Sequence, residues 1–466
     1  MTPEQRDAVL ANAKYLREVR PIDPKNITEY VEGRPHSAVV RQVLRESALD
    51  LGLIERSDGI FEPVPEKPVE GLAGTVERFP ERYARRLSDL LVGRYGPGWP
   101  TGESGDDLRG AIRRLKEAYY AGTEVSYDGT AALGYAIYHL PDYYAAIQYA
   151  LDDLVERRLL PRDLRVLDVG AGVGGPALGI ADYLPGDALL EYHAVEPSPA
   201  ADVLEALLGE AGRNVHATIH RERAEAFEPP ECDLLVFGNV LSELENPLAV
   251  VRRYLEALAD DGTVLLLAPA DRETSTGLRE IERSLARDGP SVYSPTVRLW
   301  PGAEPADRCW SFDVRPDLAV PGVQRRLDDA AEGDGEFVNV DMQFSYALLR
   351  PDGTRRIAFT PDPGRFARMA DSDRHVTDRI DLAAIKLSHD LATGEDANPL
   401  FLLGDGSQRT DHYAVLTRET GLNDDLREAG YGDLLVLESV LVLWNDDEEA
   451  YNLVVDDETV VDRVAP

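Results

Sequence analysis

The residues best suited to chemistry sit in one short stretch, Val166-Leu-Asp-Val-Gly-Ala-Gly-Val-Gly-Gly175. Asp168 closes an apolar run, and Gly170, Gly172, Gly174 and Gly175 follow. Glycines let the main chain turn sharply and approach a ligand without a Cβ in the way. About twenty residues past the first glycine, a second apolar run, Tyr192-His-Ala-Val195, ends at Glu196. A carboxylate at that place is suited to accept from the two hydroxyls of a ribose. A tight strand-to-helix turn with no ligand would use the same glycines, but it would not call for the acid at 196.

These residues need a scaffold of alternating strands and helices. Candidate strands are 164–169, 190–195, 214–219, 232–238 and 262–268. A late pair, 337–349 and 354–360, is joined by the turn Pro351-Asp-Gly353, and a helix runs from Pro176 to Tyr183. The pattern predicts an α/β domain with a doubly wound sheet over 161–365. It is interrupted by an insertion at 270–335, rich in proline and arginine, that carries Trp300 and Trp310. An insertion after the C-terminal end of a strand lies near the ligand crevice, so a substrate-contacting lid is expected there.

Three further regions flank this domain. Residues 1–70 read as a winged-helix-like domain: helices at 3–20, 26–31 and 37–51, then a hairpin around Ser57-Asp-Gly59. Arg41 and Arg45 lie one turn apart, opposite the apolar stripe, where such a module would meet a nucleic-acid groove. A docking or purely structural role fits the segment equally well. Residues 71–160 form a helical region ending in a tyrosine-rich stretch with tyrosines at 135, 138, 143, 144 and 149. Most of these are expected in the core with their hydroxyls at its edge. Residues 375–466 show five strand-like runs, the turn Gly404-Asp-Gly-Ser407 and Trp444, the pattern of an OB-like β domain. Residues 371–466 hold 23 acids against 7 bases, which argues against simple strand binding.

The whole chain of 466 residues carries 85 acidic and 49 basic residues, a formal charge of −36, and the lysines are only Lys14, Lys25, Lys67, Lys116 and Lys386. Acid excess with lysine depletion suits a halophilic setting, where screening collapses to about 3 Å at molar salt. Cys232 and Cys309 are the only cysteines, which excludes a disulfide framework and a four-cysteine zinc site. No apolar run reaches the ~20 residues that span a bilayer. The expectation is a soluble, cytoplasmic protein with no membrane contact.

The spacing D-x-G-x-G-x-G resembles the first motif of class I methyltransferases, a Rossmann-like fold, and implies S-adenosylmethionine as cofactor. Further segments widen the likeness: Tyr135-Ala-Ile-Tyr-His-Leu-Pro-Asp-Tyr-Tyr-Ala-Ala146, Asn239-Val-Leu-Ser-Glu-Leu244, Ser294-Pro295, Cys309-Trp-Ser-Phe312 and Phe344-Ser-Tyr-Ala-Leu-Leu349. Together they resemble the methyltransferase-like assembly factors of the mitochondrial small ribosomal subunit and their bacterial and archaeal relatives. The resemblance implies that Asp168, Gly170, Ala171, Gly172, Gly174, Glu196, Pro197, Glu225 and Asn239 hold the cofactor, and that Asn239 and Glu243 lie where the methyl acceptor arrives. It also implies the small ribosomal subunit or its rRNA as partner. That family commonly carries a cysteine-rich metal or iron–sulfur region in the insertion, and here Cys309 is the one plausible ligand left, so no metal cluster is expected. The stretch after strand four lacks the N-P-P-Y pattern that grips an exocyclic amine. Three functions therefore stay open: ribosome assembly or rRNA methylation, methylation of a small molecule or protein, and a catalytically silent nucleic-acid or protein-binding scaffold.

Overall fold

The computed structural model of the chain describes residues 1–72, 74–120, 128–394 and 397–464. It divides into two compact units, each built from separate stretches: residues 1–235 with 318–340, and residues 236–317 with 341–466.

The first unit begins with helices Pro3–Leu16, Pro24–Tyr30 and Ser37–Glu46 and the turn Ala48–Leu51, then a hairpin of β1 (Leu53–Glu55) and β2 (Phe61–Pro63). Thr2 and Gln5 close a reciprocal cap on the first helix, satisfying amide groups that a helix start leaves unpaired. Val9, Ala13, Ile27, Val40, Val43 and Leu44 converge with Leu53 and Phe61 into one core. Arg41 and Arg45 do not present free charge to a groove. Both pair with Glu55, whose side chain is 1% exposed. An ionised carboxylate that deep needs partners, and the two guanidinium groups supply them.

Three helices follow, Glu81–Tyr95, Gly102–Tyr120 and Gly129–Glu156. The last runs through Pro141. Proline has no N–H, so the carbonyl one turn back, on Ile137, loses its helical partner. The Gln324 side-chain amide donates to that carbonyl at 3.0 Å and to the Tyr138 carbonyl at 3.1 Å. Gln324 sits on the helix Gly322–Asp329, whose Val323 and Leu327 join the core of the tyrosine-rich helix.

The sheet of this unit runs β5 (Val215–His220), β4 (Leu189–Val195), β3 (Asp163–Val169), then the start of β6 (Cys232–Gly238). β3, β4 and β5 are parallel, with Val169 beside Val195 and Val195 beside His220. Cys232 is buried in its strand, and burial pushes its thiol up to about 12, the behaviour of a core residue and not of a nucleophile.

In the second unit the rest of β6 is followed by β7 (Leu258–Pro269), helix Arg272–Asp288, β8 (Ser291–Ser294), β9 (Asp313–Arg315) and β10 (Met342–Arg350). The order is β6-β7-β10-β8, with β9 also on β10, and β10 is antiparallel to β7, β8 and β9. This corrects two expectations. Residues 354–360 form no strand, and the partner of β10 comes from β8, inside the insertion. The insertion therefore contributes a strand to the sheet. It opens with a 17-residue helix, Arg272–Asp288.

The C-terminal region of this unit holds β11 (Arg379–Lys386), β12 (Leu400–Gly404), β13 (His412–Leu416), β14 (Leu434–Asn445), β15 (Ala450–Val455) and β16 (Val460–Val464). The first five close a barrel in the order β11-β12-β13-β15-β14 and back to β11, with β13 and β15 parallel. That closure is compatible with an OB-like domain. β16 was not expected. It pairs with the first half of β14.

Candidate functional site

The glycine loop joins β3 to the helix Gly175–Tyr183. Its glycines serve different ends. Gly170, Gly172 and Gly174 all have left-handed φ values, 74°, 54° and 94°. A Cβ on Gly172 would meet only the Gly170 carbonyl oxygen, at 4.0 Å, so the loop is open there. A Cβ on Gly174 would lie 2.3 Å from Leu204 Cδ1, and one on Gly175 would lie 2.6 Å from Tyr143 Cβ. These two glycines allow close packing of neighbouring helices, while Gly172 faces open space. Ala171 beside it is buried.

Asp168 is wholly buried at the end of β3. The Tyr192 hydroxyl donates to its Oδ2 at 2.6 Å, and Oδ1 has no partner. Burial raises the carboxyl to about 7, the Tyr192 hydrogen bond opposes the rise, and the charge of Glu196 adds to it. The partnership with Tyr192 was missed at the sequence level. Tyr192 lies opposite Val166, one same-face step from Asp168 in the parallel register, so aligning the two strands would have revealed it.

Glu196 directly follows β4 and is buried. Its Oε2 accepts from the Gly172 amide at 2.9 Å and its Oε1 from the Ser198 amide at 2.8 Å. A carboxylate accepts about four hydrogen bonds, so each oxygen keeps capacity for a hydroxyl donor. Pro197 is exposed beside it. Glu225 is exposed in the turn after β5, next to the buried Ala224.

Asn239 and Glu243 belong to the second unit, after β6. Asn239 has φ +59°, its amide donates to the Leu267 carbonyl at 2.9 Å, and both polar side-chain atoms are buried without partners. A non-glycine residue held left-handed with an unsatisfied amide is a costly arrangement of the sort that clusters at functional sites. Glu243 is exposed in the short 3-10 turn Leu241–Glu243.

Among the described residues, no group of three or more His, Cys, Asp or Glu side chains is placed to hold a metal ion, and no helix is long and apolar enough to cross a membrane. Cys309 is buried, its amide donating to Asp411 at 3.2 Å, and burial pushes its thiol far up.

Residues 143–319 match a methyltransferase domain. With the strand order above, the match gives this part of the chain a class I methyltransferase, Rossmann-like fold. Residues 6–57 match the N-terminal domain, and residues 370–464 the C-terminal domain, of a domain of unknown function, DUF8157. No curated protein matches. Among solved structures, the mitomycin 7-O-methyltransferase MmcR is 16% identical, covering 57% of this chain and 75% of its own, with a TM-score of 0.24. The plantazolicin methyltransferase BpumL in complex with SAH is 13% identical, covering 57% and 98%, TM-score 0.29. The precorrin-6y C5,15-methyltransferase from Geobacter metallireducens is 14% identical, covering 40% and 79%, TM-score 0.26.

Proposed function

We propose that the first unit binds S-adenosylmethionine and that the chain is a methyltransferase acting on the small ribosomal subunit or its rRNA. One observation carries the cofactor reading: a buried carboxylate oxygen of Asp168 without a donor, beside a glycine loop with open space above Gly172. A cationic amino group satisfies that oxygen and favours the ionised carboxylate. Glu196 keeps capacity for two ribose hydroxyls while its backbone contacts hold the loop in shape. The bound cofactor supplies an electrophilic methyl group. The protein's share is to hold and orient the reactants. Asn239 and Glu243 are the acceptor-side candidates because they follow the fourth sheet strand.

The ribosomal partner is supported by the segments 135–146 and 239–244, whose sequence resembles the assembly-factor family. The acid surplus with few lysines supports a saline setting. A second reading, methylation of a small molecule or protein, is favoured by the neutralised Arg41 and Arg45, which leave that helix with little grip on phosphate. Calorimetry with S-adenosylhomocysteine tests the cofactor reading: one site is expected in the unaltered chain and none in Glu196→Ala. Mapping rRNA methylation in a deletion strain tests the partner. An unchanged rRNA pattern, with no co-sedimentation of the protein with small subunits, would leave the second reading.

A further inference from the structure

The first unit's edge strand ends in two histidines joined to each other and to an acid. Among the described residues β5 is the outermost strand of its sheet and pairs with β4. Glu191 and His193 share one face of β4, with His216, Thr218 and His220 on the same face of β5. Edge strands are commonly guarded by charge or proline. Val215-His-Ala-Thr-Ile-His220 has no permanent charge and no proline, so its imidazoles are the groups that can acquire charge. The end of this strand also bears on the glycine loop. The His220 carbonyl accepts from the Glu196 amide at 2.9 Å, and the Glu196 carboxylate in turn holds the Gly172 amide.

His193 Nδ1 and His220 Nε2 are 3.0 Å apart, and His193 Nε2 lies 3.2 Å from Glu191 Oε1. The ring planes are 21° apart with centroids at 5.2 Å. Rings stacked face to face at that separation would not bring two nitrogens to 3.0 Å, so the bond runs edge to edge. A carboxylate only accepts. His193 Nε2 therefore carries its hydrogen, His193 Nδ1 is bare, and His220 Nε2–H donates to it. One added proton fits at His220 Nδ1, because the imidazolium still donates to His193 and His193 still donates to Glu191. A second has no place. It would set two hydrogens face to face across the 3.0 Å contact and two cations side by side. Burial holds the His220 imidazole below its ordinary range, and the charge of His193 adds to that against the pull of Glu222. This contribution to stability is fully present above the ordinary histidine range and is lost as pH falls through it to the lowered value. Around the pair stand Phe227 against the His220 ring, His216 beside Glu191, and Asp163 and Arg165 on β3. Arg165 lies next to Glu191 and is bound to Asp233 and Glu231.

We infer that Glu191, His193 and His220 form an acid-operated latch: the chain of three admits one added proton and parts on the second, freeing the end of β5 and with it the backbone support of Glu196. Between the two steps the latch is tighter than in its neutral form, since its hydrogen bonds become charge-assisted. Beyond the second step the two rings repel, and the strand end they close is held on one side alone. The device goes beyond the cofactor reading and does not need it, because it works in the ligand-free chain.

The test uses the full, ligand-free chain at constant potassium chloride, taken from about pH 8 to about pH 4.5. Histidine ring ¹⁵N signals are followed by NMR, assigned through His193→Gln and His220→Gln. At the start both rings should carry their hydrogen on Nε2. The pair should then take up one proton in a step shared by both signals, and a second at least about one unit lower. Hydrogen exchange at the Glu196 amide, corrected for the intrinsic rate at each pH, should lose protection about ten-fold across the second step. His193→Gln leaves His220 Nε2–H an acceptor and removes the second proton site, so protection at Glu196 should persist through that interval. Glu191→Gln removes the charge that stabilises the singly protonated pair and should move the first step down by about half a unit. The latch is overturned if the two rings take up protons with midpoints less than about half a unit apart, or if either ring carries its hydrogen on Nδ1 at the start. It is equally overturned if the Glu196 amide loses protection alike in His193→Gln and the unaltered chain, or if Glu191→Gln leaves the first step in place. Failure of S-adenosylhomocysteine to bind would remove the cofactor reading and leave each of these results intact.

Discussion

Two aspartates sit beside glycine turns in this molecule, and their surroundings differ sharply. Asp405, in the second unit, is saturated. Its Oδ2 accepts from the Trp300 indole at 2.8 Å and the Met369 amide at 2.9 Å, and its Oδ1 from the Ser407 amide at 2.7 Å and hydroxyl at 2.8 Å. A Cβ on the adjoining Gly406 would lie 2.6 Å from the Val297 carbonyl oxygen and 2.5 Å from Arg298 Cα. Asp168, in the first unit, has one donor and one empty oxygen, and Gly172 beside it faces open space. The same residue types build a staple in one place and a receptor in the other. Residue type does not separate them. Unmet hydrogen-bonding capacity does.

The contrast can be broken by mutation. Asp405→Ala strands several buried donors and should lower stability by about 4 kcal/mol, read from the denaturant midpoint of the full chain. Gly406→Ala meets backbone and a left-handed φ together and should cost about 3 kcal/mol. Gly172→Ala meets only the φ and should cost about 1 kcal/mol, while weakening cofactor binding. Equal costs for these two would erase the distinction. Asp168→Asn should leave the ligand-free fold as stable or more so, yet weaken S-adenosylhomocysteine about 10–100-fold by calorimetry.

Asp168 also responds to pH. Asp168 is raised to about 7, so its ionisation costs stability as pH climbs from the ordinary carboxylate range through 7. The cationic ligand needs the ionised form. Affinity for S-adenosylhomocysteine should therefore be about ten-fold weaker at pH 6 than at pH 8, while the ligand-free chain loses stability over the same interval. A flat affinity profile would remove Asp168 from the site. Tyr192→Phe deletes a donor that favours the carboxylate and should move the profile upward by about half a unit, the smallest effect of the set.

The sequence disclosed most of the scaffold. The strands expected at 164–169, 190–195, 214–219 and 232–238 fall within a residue or so of β3, β4, β5 and β6; β3, β4 and β6 are largely buried and read as apolar runs, while β5 is the half-exposed edge strand. The partner of β10 did not emerge. Ser291–Ser294 is four residues long between prolines at 290 and 295, and its pairing with Leu348–Arg350 is a long-range event with no local signature. The glycine loop and Glu196 could be located from spacing, but the division of labour among the glycines could not, since it depends on Leu204 and Tyr143 arriving from elsewhere. Arg41 and Arg45 taught the reverse lesson: their spacing on the exposed side of a helix suggested a free basic face, and a buried glutamate from the hairpin claimed both. The tyrosines divided. Tyr144 and Tyr149 are core, while Tyr135, Tyr138 and Tyr143 are half-buried.

The proline in the middle of the tyrosine-rich helix has a consequence for the order of events during synthesis. The amide that relieves the Ile137 carbonyl, and the Leu327 and Phe337 side chains that complete the surrounding core, arrive from the stretch 318–340. Ribosomes deliver chain at about 5–20 residues per second. For several seconds after Leu235 emerges, the nascent first unit therefore carries an unmet acceptor and an incomplete apolar interior. It is finished from behind, by a segment made after its own sheet strands, and a chaperone that shields that helix in the interval would find its binding surface erased once residue 340 is out.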